Sequence, residues 1–543
     1  MKLRTTMLIH PVTLLTRYGT FVAVLIGTAI TFVMLTNGWH IRWLFYPLLV
    51  LSLIGIWNVF QTRHTLMRNY PVIALVRWVS EELRPFLRQY IVEGNLEGRP
   101  YSREHRSLIY QRAKDDVDVH PFGTELDVYG DEYEWLTHSI AARHVDPKTF
   151  RVEVGGPQCG KPYSASLLNV SAMSFGALGA NAIEALNLGA RLGGFYHDTG
   201  EGSISPYHRK NGGDLVWELG SGYFGCRDKA GRFDPKRFAE QAVSDQVKMV
   251  EIKLSQGAKP GHGGVLPAEK VTAEIAATRM IAMGEDCVSP AAHSAFSTPV
   301  EMMEFIATLR EMSGGKPVGF KLCIGRPHEL MAICKAMIET GILADFIVVD
   351  GAEGGTGAAP VEFSDHIGMP LREGLIFAQN ALVGSGLRDK VRLAASGKVS
   401  TAYYLAANMA VGADWCNAAR AFMFSLGCVM SMRCHTGECP TGVTTHDPLR
   451  QRGLVVEDKS KRVRNFQRET LHALAEVIGA AGLEHPRELT PAHIYRRVSA
   501  VEAKSLDELY HFIEPGSLLD GRRKTPLDKY WKRAQAESFA PAG

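Results

Sequence analysis

Two uncharged apolar runs open the chain, residues 18–35 (YGTFVAVLIGTAITFVML) and 43–60 (WLFYPLLVLSLIGIWNVF). Each has the length of a bilayer-spanning helix, about 17–25 residues, and the segment 36–42 between them suffices only for a tight turn. Trp39, Trp43, Tyr46 and Trp57 sit at or near the run ends, where amphipathic rings favour the headgroup zone. The pattern predicts a hairpin of two membrane-spanning helices over residues 1–64. Neither run carries the charge that a transport path would need, so the expected role is anchoring. The rival is a signal peptide followed by a buried core helix. No small-x-small cleavage site follows the first run, and the second repeats its hydrophobicity at full length.

Residues 65–164 are charged and aromatic with little sustained periodicity, and are expected to form a membrane-proximal lead-in. From about residue 165 short apolar runs ending in Gly/Ser-rich loops alternate with helical patterns. The strand-like runs are 166–172, 249–254, 317–322, 346–349, 391–394 and 415–417; the helix-like stretches include 181–192, 268–283, 299–312, 327–340 and 402–411. Such alternation over residues 165–448 predicts an α/β fold with a parallel sheet, of a length that suits a closed (β/α)8 TIM barrel. An open doubly wound sheet is the alternative, but no G-x-G-x-x-G joins a first strand to a helix. Residues 449–543 read as a C-terminal helical extension, with an amphipathic helix over 463–481, further surface helices and a frayed tail at 538–543.

Composition changes this picture little. The chain of 543 residues is 46% hydrophobic and 22% charged, with a net charge of +3 and no basic stripe interleaved with aromatics, which excludes a nucleic-acid partner as the reading. Charge does orient the hairpin. Lys2, Arg4 and Arg17 precede it, Arg63 and Arg68 follow it, and the connector carries only Arg42. The positive-inside bias therefore predicts both ends on the cytoplasmic side of the inner membrane, together with the catalytic part.

Candidate chemistry gathers where a barrel keeps it, at the carboxyl ends of strands. The run at 346–349 leads into Asp350-Gly-Ala-Glu-Gly-Gly-Thr-Gly357, that at 391–394 into Ala395-Ser-Gly-Lys398, and that at 415–417 into Ala418-Ala-Arg-Ala421. Successive glycine-rich turns let backbone N–H groups approach an anion, as a phosphate cradle requires. Nine cysteines in a chain this long do not make a disulfide scaffold. Three of them, Cys428, Cys434 and Cys439, follow a C-x5-C-x4-C spacing in a segment rich in Gly and Pro. Such thiolates can converge on a soft metal. Zinc would need a fourth ligand, with His435 or His446 available; a three-thiol set alone suits a [3Fe-4S] cluster; small buried hydrophobes are the bland alternative.

Several motifs occur together in order: Ser171-Ala-Met-Ser-Phe-Gly-Ala-Leu178, Thr199-Gly-Glu-Gly-Ser203, Gln256-Gly-Ala-Lys-Pro-Gly-His-Gly-Gly-Val-Leu-Pro267, Gly319-Phe-Lys-Leu322, Gly354-Gly-Thr-Gly-Ala358 and the cysteine set. From about Leu168 to Arg464 the sequence thereby resembles the FMN-binding domain of glutamate synthase, in particular its stand-alone relatives. The resemblance implies FMN and a [3Fe-4S] cluster held by Cys428, Cys434 and Cys439. It implies that Met173 and Ser174 line the flavin ring and that Lys321 lies at its pyrimidine edge. It assigns Gly354, Gly355, Thr356, Gly357, Ser396, Gly397, Lys398 and Ala418 to the flavin and its phosphate. Glu201, Lys253, Lys259 and Arg279 match positions around a 2-oxoglutarate pocket, with Glu201, Lys259 and Lys321 as the catalytic set.

The implied reaction forms L-glutamate from 2-oxoglutarate and ammonia through 2-iminoglutarate. Electrons would come from a ferredoxin-like or membrane donor, and ammonia from solution or a separate source. Two departures leave the substrate open: His262 stands where the family usually has Glu, and Val265 where it has Gln. A related FMN oxidoreductase acting on another oxo- or amino-acid, or a membrane-docked electron-transfer or redox-sensing module without turnover, are the alternatives.

Overall fold

The structure, a computed structural model, describes residues 11–521 and 524–542. It divides into two compact units, Met1–Pro100 and Tyr101–Gly543.

In the first unit, helices Pro11–Thr36 and Arg42–Phe60 enclose the two apolar runs. Within them Arg17–Thr36 and Arg42–Phe60 are long and apolar enough to cross a membrane, and only 11% and 22% of each is buried, unlike the core helix of a soluble fold. Small and hydroxyl residues let the pair approach. Thr28 and Ser52 share a 2.8 Å hydrogen bond, and a Cβ on Gly55 would stand 2.3 Å from the Phe21 ring. Lys2 and Arg4, used in the orientation argument, lie outside the described residues. Beyond the hairpin come helices Thr65–Asn69 and Ala74–Leu87, the latter continued by the wider turn Arg88–Val92. Residues 65–164 are thus less featureless than their charge suggests.

The second unit is a closed barrel of eight parallel strands. They are β1 (Leu168–Val170), β2 (His197–Asp198), β3 (Leu215–Leu219), β4 (Val247–Lys253), β5 (Val318–Leu322), β6 (Phe346–Asp350), β7 (Arg392–Ser396) and β8 (Trp415–Ala418). Each pairs with the next, and β8 returns to β1 through Cys416↔Leu168, Asn417↔Asn169 and Ala418↔Val170. Helices Ala180–Gly193, Pro299–Met312, Pro327–Thr340, Leu371–Gly384 and Ala402–Ala410 form the outer layer. Their starts are written in the sequence. Thr298 and Glu301 form a reciprocal capping box ahead of Pro299, and Thr401 caps Ala402–Ala410.

Three expectations need correction. The helix expected over 268–283 is broken into a 3-10 turn, Ala268–Lys270, and helix Ala273–Arg279. Thr272 caps the second piece by accepting from the Ile275 N–H, and Met280 ends it at φ +58°. The C-terminal extension is not helical throughout. Ile494–Ser499 and Glu502–Ser505 form a hairpin that adds Glu134–Leu136 as a third strand, with Tyr495 stacked on Trp135 at 5.7 Å. Residues 538–542 are tied down rather than frayed: the His328 ring lies 3.2 Å from the Phe539 carbonyl, and the Ala542 N–H donates to the Arg533 carbonyl at 2.8 Å. The expected amphipathic helix is present and starts earlier, as Val456–Ala480. It packs on Ala180–Gly193 so closely that a Cβ on Gly189 would meet Val463 at 2.5 Å.

Candidate functional site

The carboxyl ends of the strands carry three adjoining constellations. In the first, Glu201 projects from the turn after β2 between two glycines. Gly200 adopts φ +63°, and a Cβ there would meet the Ser174 backbone nitrogen at 2.6 Å, so the loops after β1 and β2 touch main chain to main chain. Gly264 leaves room for the carboxylate, since a Cβ at that position would lie 2.0 Å from Glu201 Oε1. Lys253, at the end of β4, places Nζ 3.2 Å from Glu201 Oε2, and the Ser289 hydroxyl donates to the same oxygen at 3.4 Å. Burial alone would raise the Glu201 carboxyl, but Lys253, Arg279 and Lys259 outweigh it and lower it to about 2. Lys259 is buried as well. Desolvation pulls its ammonium down, with Glu201 opposing and Lys253 adding to the effect.

Arg279, the last residue of its short helix, donates to the Phe175 carbonyl at 3.0 Å and to Ser174 Oγ at 3.3 Å, and lies 5.2 Å from the Phe224 ring centre. Its Nε is buried without a partner. His293 braces Lys253 from behind, one ring nitrogen 2.8 Å from the Lys253 carbonyl and the other 3.0 Å from the Tyr223 hydroxyl. The cleft in front of Glu201 and Lys253 is also lined by Ser221, Gln256, His262 and Pro290. Of the two departures, His262 lines this cleft, its ring edge-on to Phe363 at 5.3 Å. Val265 pairs with Val288 in a short antiparallel ladder beside it.

The second constellation fills the barrel interior. Lys321 on β5 is ion-paired with Glu218 of β3 and lies 3.4 Å from Glu251 of β4. Carboxylate oxygens of Asp198, Glu218 and Glu251 all lie within 4.8 Å of one another, and all three residues are buried. Burial by itself would discharge Lys321; Glu218, Glu251 and Asp198 outweigh it and hold the ammonium well above its ordinary range. Burial raises Asp198 and Glu251 in turn, each with a neighbouring carboxylate adding to the rise. Sequence reasoning singled out Lys321 but missed its three acids. Their signal is a carboxylate inside an apolar strand, as in Leu215-Val-Trp-Glu218-Leu219.

The third lies at the ends of β6, β7, β8 and β1. The Ser171 N–H donates to the Ala418 carbonyl at 3.0 Å, Ser171 and Ser396 hydroxyls are 3.4 Å apart, and the Gly351 N–H donates to the Ser396 carbonyl at 2.8 Å. Met173 is buried beside Ser174. Gly397 (φ +151°) and Lys398 (φ +49°) turn the chain after β7, and the Ser400 hydroxyl that follows is buried without a partner. The Gly354–Gly357 stretch lies over Arg420, whose guanidinium would be 2.9 Å from a Cβ on Gly355 and which donates to the Glu353 carbonyl at 2.6 Å. Arg420 is a further residue that the motif reading passed over.

At the far end of that stretch a Cβ on Gly357 would lie 3.4 Å from Cys434 Cβ, so the glycine loop touches the cysteine loop. Cys428, Cys434 and Cys439 influence one another electrostatically. Among the described residues, however, the one group of three ligand atoms within 4.8 Å is the carboxylate trio. The zinc alternative lacks a fourth ligand, since His446 Nε2 is engaged 2.8 Å from the Gly176 carbonyl and His435 is exposed. Lys270 reaches into the loop, donating to the Cys434 carbonyl at 2.6 Å. Burial would raise the Cys439 thiol, but hydrogen bonds from Thr441 and Thr444 bring it below its ordinary value.

The sequence-derived residues therefore fall into place unequally. Glu201 and Lys253 line one cleft, with Lys259 and Arg279 near enough to act on the Glu201 carboxylate; Lys321 belongs to the interior, and the glycine, Ser396 and Ala418 positions form the rim that adjoins the cysteines.

Comparison with known proteins follows this geometry. Residues 157–484 match the family described as the conserved region in glutamate synthase. The glutamate synthase large subunit-like protein YerD of Bacillus subtilis is 35% identical over 505 residues, covering 86% of this chain and 96% of its own length. The archaeal NADPH glutamate synthase of Archaeoglobus fulgidus is 36% identical over 314 residues, 58% of each chain, so the match spans less than two thirds of that protein. A crystal structure of mandelate oxidase aligns with a TM-score of 0.39 at 14% identity, covering 80% of this chain and 99% of its own. On the extent of these sequence matches, the chain belongs to the glutamate synthase family.

Proposed function

We propose that this chain is an FMN- and iron–sulfur-dependent oxidoreductase that forms L-glutamate from 2-oxoglutarate and ammonia, docked to the cytoplasmic face of the inner membrane by its apolar hairpin. The contact of the Gly357 loop with Cys434 carries the reading, because it sets a cradle of glycine turns directly against a three-thiol loop. When bound, the flavin supplies hydride to the imine carbon and the cluster passes electrons to it singly. The residues present suit both groups. Ser396, Gly397, Lys398, Ala418 and Gly354 to Gly357, with Arg420, would hold the flavin and its phosphate, and Met173 and Ser174 would line its ring. The unpartnered Ser400 hydroxyl stands where barrels bind phosphate. The thiols of Cys428, Cys434 and Cys439 would hold the cluster, with Lys270 beside them to offset its negative charge.

Lys253, Lys259 and Arg279 against Glu201 make three cations and one anion, a net charge of +2. That balance fits the two carboxylates of 2-oxoglutarate, Arg279 being the residue suited to a forked contact. Glu201, ionised at neutral pH, holds the ammonium and later the iminium nitrogen by its charge; the proton that ammonium sheds before ammonia attacks the carbonyl passes to solvent, and solvent returns one to the imine nitrogen. Lys259, made a readier acid by burial, protonates the departing hydroxyl as water and recovers its proton from the carbinolamine nitrogen. One further proton comes from solvent. Lys321, held charged by its acids, places a positive potential by the pyrimidine edge. Electrons would enter from a ferredoxin-like or membrane donor, and ammonia from solution or a separate source.

Anaerobically purified full chain should show a flavin absorption band and a three-iron paramagnetic signal. With reductant, 2-oxoglutarate and ammonium it should yield glutamate. Protein lacking flavin or iron overturns the reading. His262 in the cleft favours a second reading, a related reaction on another oxo-acid. Glutamate formation gained only in a Val265→Gln variant would favour that second reading. Redox cycling without product across a panel of oxo-acids would leave electron transfer alone.

A further inference from the structure

The helix Ala74–Leu87 and its continuation Arg88–Val92 have two unlike sides. Val76, Val79, Leu83, Phe86, Leu87 and Tyr90 fall within one arc when residues advance by about 100° each. Val76, Val79, Leu83 and Phe86 are 63%, 58%, 49% and 48% exposed. Arg77, Arg84 and Arg88 line one flank of that arc, with Glu81 behind them, 3.7 Å from Arg77 and 3.9 Å from Arg84. Pro85 falls on the opposite, polar side, so the backbone bond it removes is lost there. A helix of a soluble core turns such a stripe inward. A contiguous apolar face left outside marks a docking surface.

Its place in the first unit says what covers it. Asn58, near the end of the second long helix, donates to the Pro71 carbonyl at 2.7 Å. Tyr18, near the start of the first, donates to the Arg68 carbonyl at 3.5 Å, and the Arg17 guanidinium bonds Asn69. Residues 68–71 are thus fastened to the ends of both long apolar helices on one side, and the amphipathic helix begins directly after them at Ala74. If the hairpin spans a bilayer, those ends lie at headgroup level and the helix starts there. Resting on that membrane reading, we propose that residues 74–92 lie in the membrane interface, with Val76 to Tyr90 toward the acyl chains and Arg77, Arg84 and Arg88 on anionic headgroups.

The full chain, reconstituted in discs of phosphatidylcholine and phosphatidylglycerol carrying a photoactivatable carbene lipid, tests this by peptide mapping. Adducts are expected on residues 17–60 and on the apolar arc of 76–90. They should disappear from the arc, but not from 17–60, in a variant carrying Leu83→Glu and Phe86→Glu. Adducts confined to 17–60 overturn the interfacial helix while the spanning hairpin stands. None on 17–60 overturns the membrane reading itself. A bifunctional cross-linker added to the same discs that joins the 76–90 peptides of two copies, with no lipid adducts there, would assign the face to self-association and equally overturn the proposal.

Discussion

Replacing Glu201 with Gln tests the electrostatics of the cleft most directly. Although burial opposes ionisation, Lys253, Arg279 and Lys259 lower this carboxyl from its ordinary 4.5 to about 2. A gap of that size corresponds to about 3 kcal/mol of stabilisation at neutral pH. A carboxyl lowered on folding gives stability that is complete above its unfolded value and is lost as pH falls through the folded one. The wild type should therefore exceed Glu201→Gln by about 3 kcal/mol at neutral pH, with the margin narrowing between pH 4.5 and about 2. Urea denaturation of the detergent-solubilised full chain, sampled by brief proteolysis and mass spectrometry of barrel peptides, reads this margin for the catalytic unit alone. The variant also raises the net charge of the cleft, so 2-oxoglutarate should bind at least as well while glutamate formation fails. Equal stability at neutral pH, or a margin unchanged in acid, would refute the claim that the three cations hold Glu201 ionised.

Lys321→Met should cost about 3–5 kcal/mol, because it strands three buried carboxylates. Asp198 and Glu251, already raised by burial, lose the cation that opposes the rise, so the stability of the variant, measured by the same denaturation, should fall more steeply than that of the wild type as pH rises from acid to neutral. Cys434→Ser should abolish the iron content and the paramagnetic signal while the flavin band persists, as read by metal analysis and spectroscopy. Gly257→Ala should destabilise the rim by about 1–3 kcal/mol, visible in thermal melting, since its Cβ would stand 1.7 Å from the Gly351 carbonyl.

The barrel was legible where burial on both faces makes a strand an unbroken apolar run, as in Phe346-Ile-Val-Val349 of β6. It was not legible at β2, two residues long, or at β3, where Glu218 interrupts the run and reads as noise. The same cause hid the acids around Lys321: a carboxylate in a strand has no visible partner until distant strands meet. Glu201, Lys253, Lys259 and Arg279 were found through motif order, since more than seventy positions separate the first from the last and no periodicity links them. Arg420 stood in a loop already singled out, but only its stacking under Gly355 distinguishes it from a solvated arginine. The helix expected over 268–283 followed its apolar spacing and overlooked Thr272 as a cap. The 494–505 hairpin was lost because charge was weighed above the strand-favouring Ile494, Tyr495 and Val498.

The interior acids also impose an order on assembly. A nascent chain that has made only the first four strands carries Asp198, Glu218 and Glu251 toward a common centre without a counter-ion, so a half-barrel ending at Lys253 cannot settle with that centre dry and ionised. Synthesis must continue through β5 before Lys321 gives the lumen its counter-ion. Closure is thereby coupled to the second half of the chain, and truncation products ending before that lysine should remain unfinished rather than accumulate as a native-like fragment.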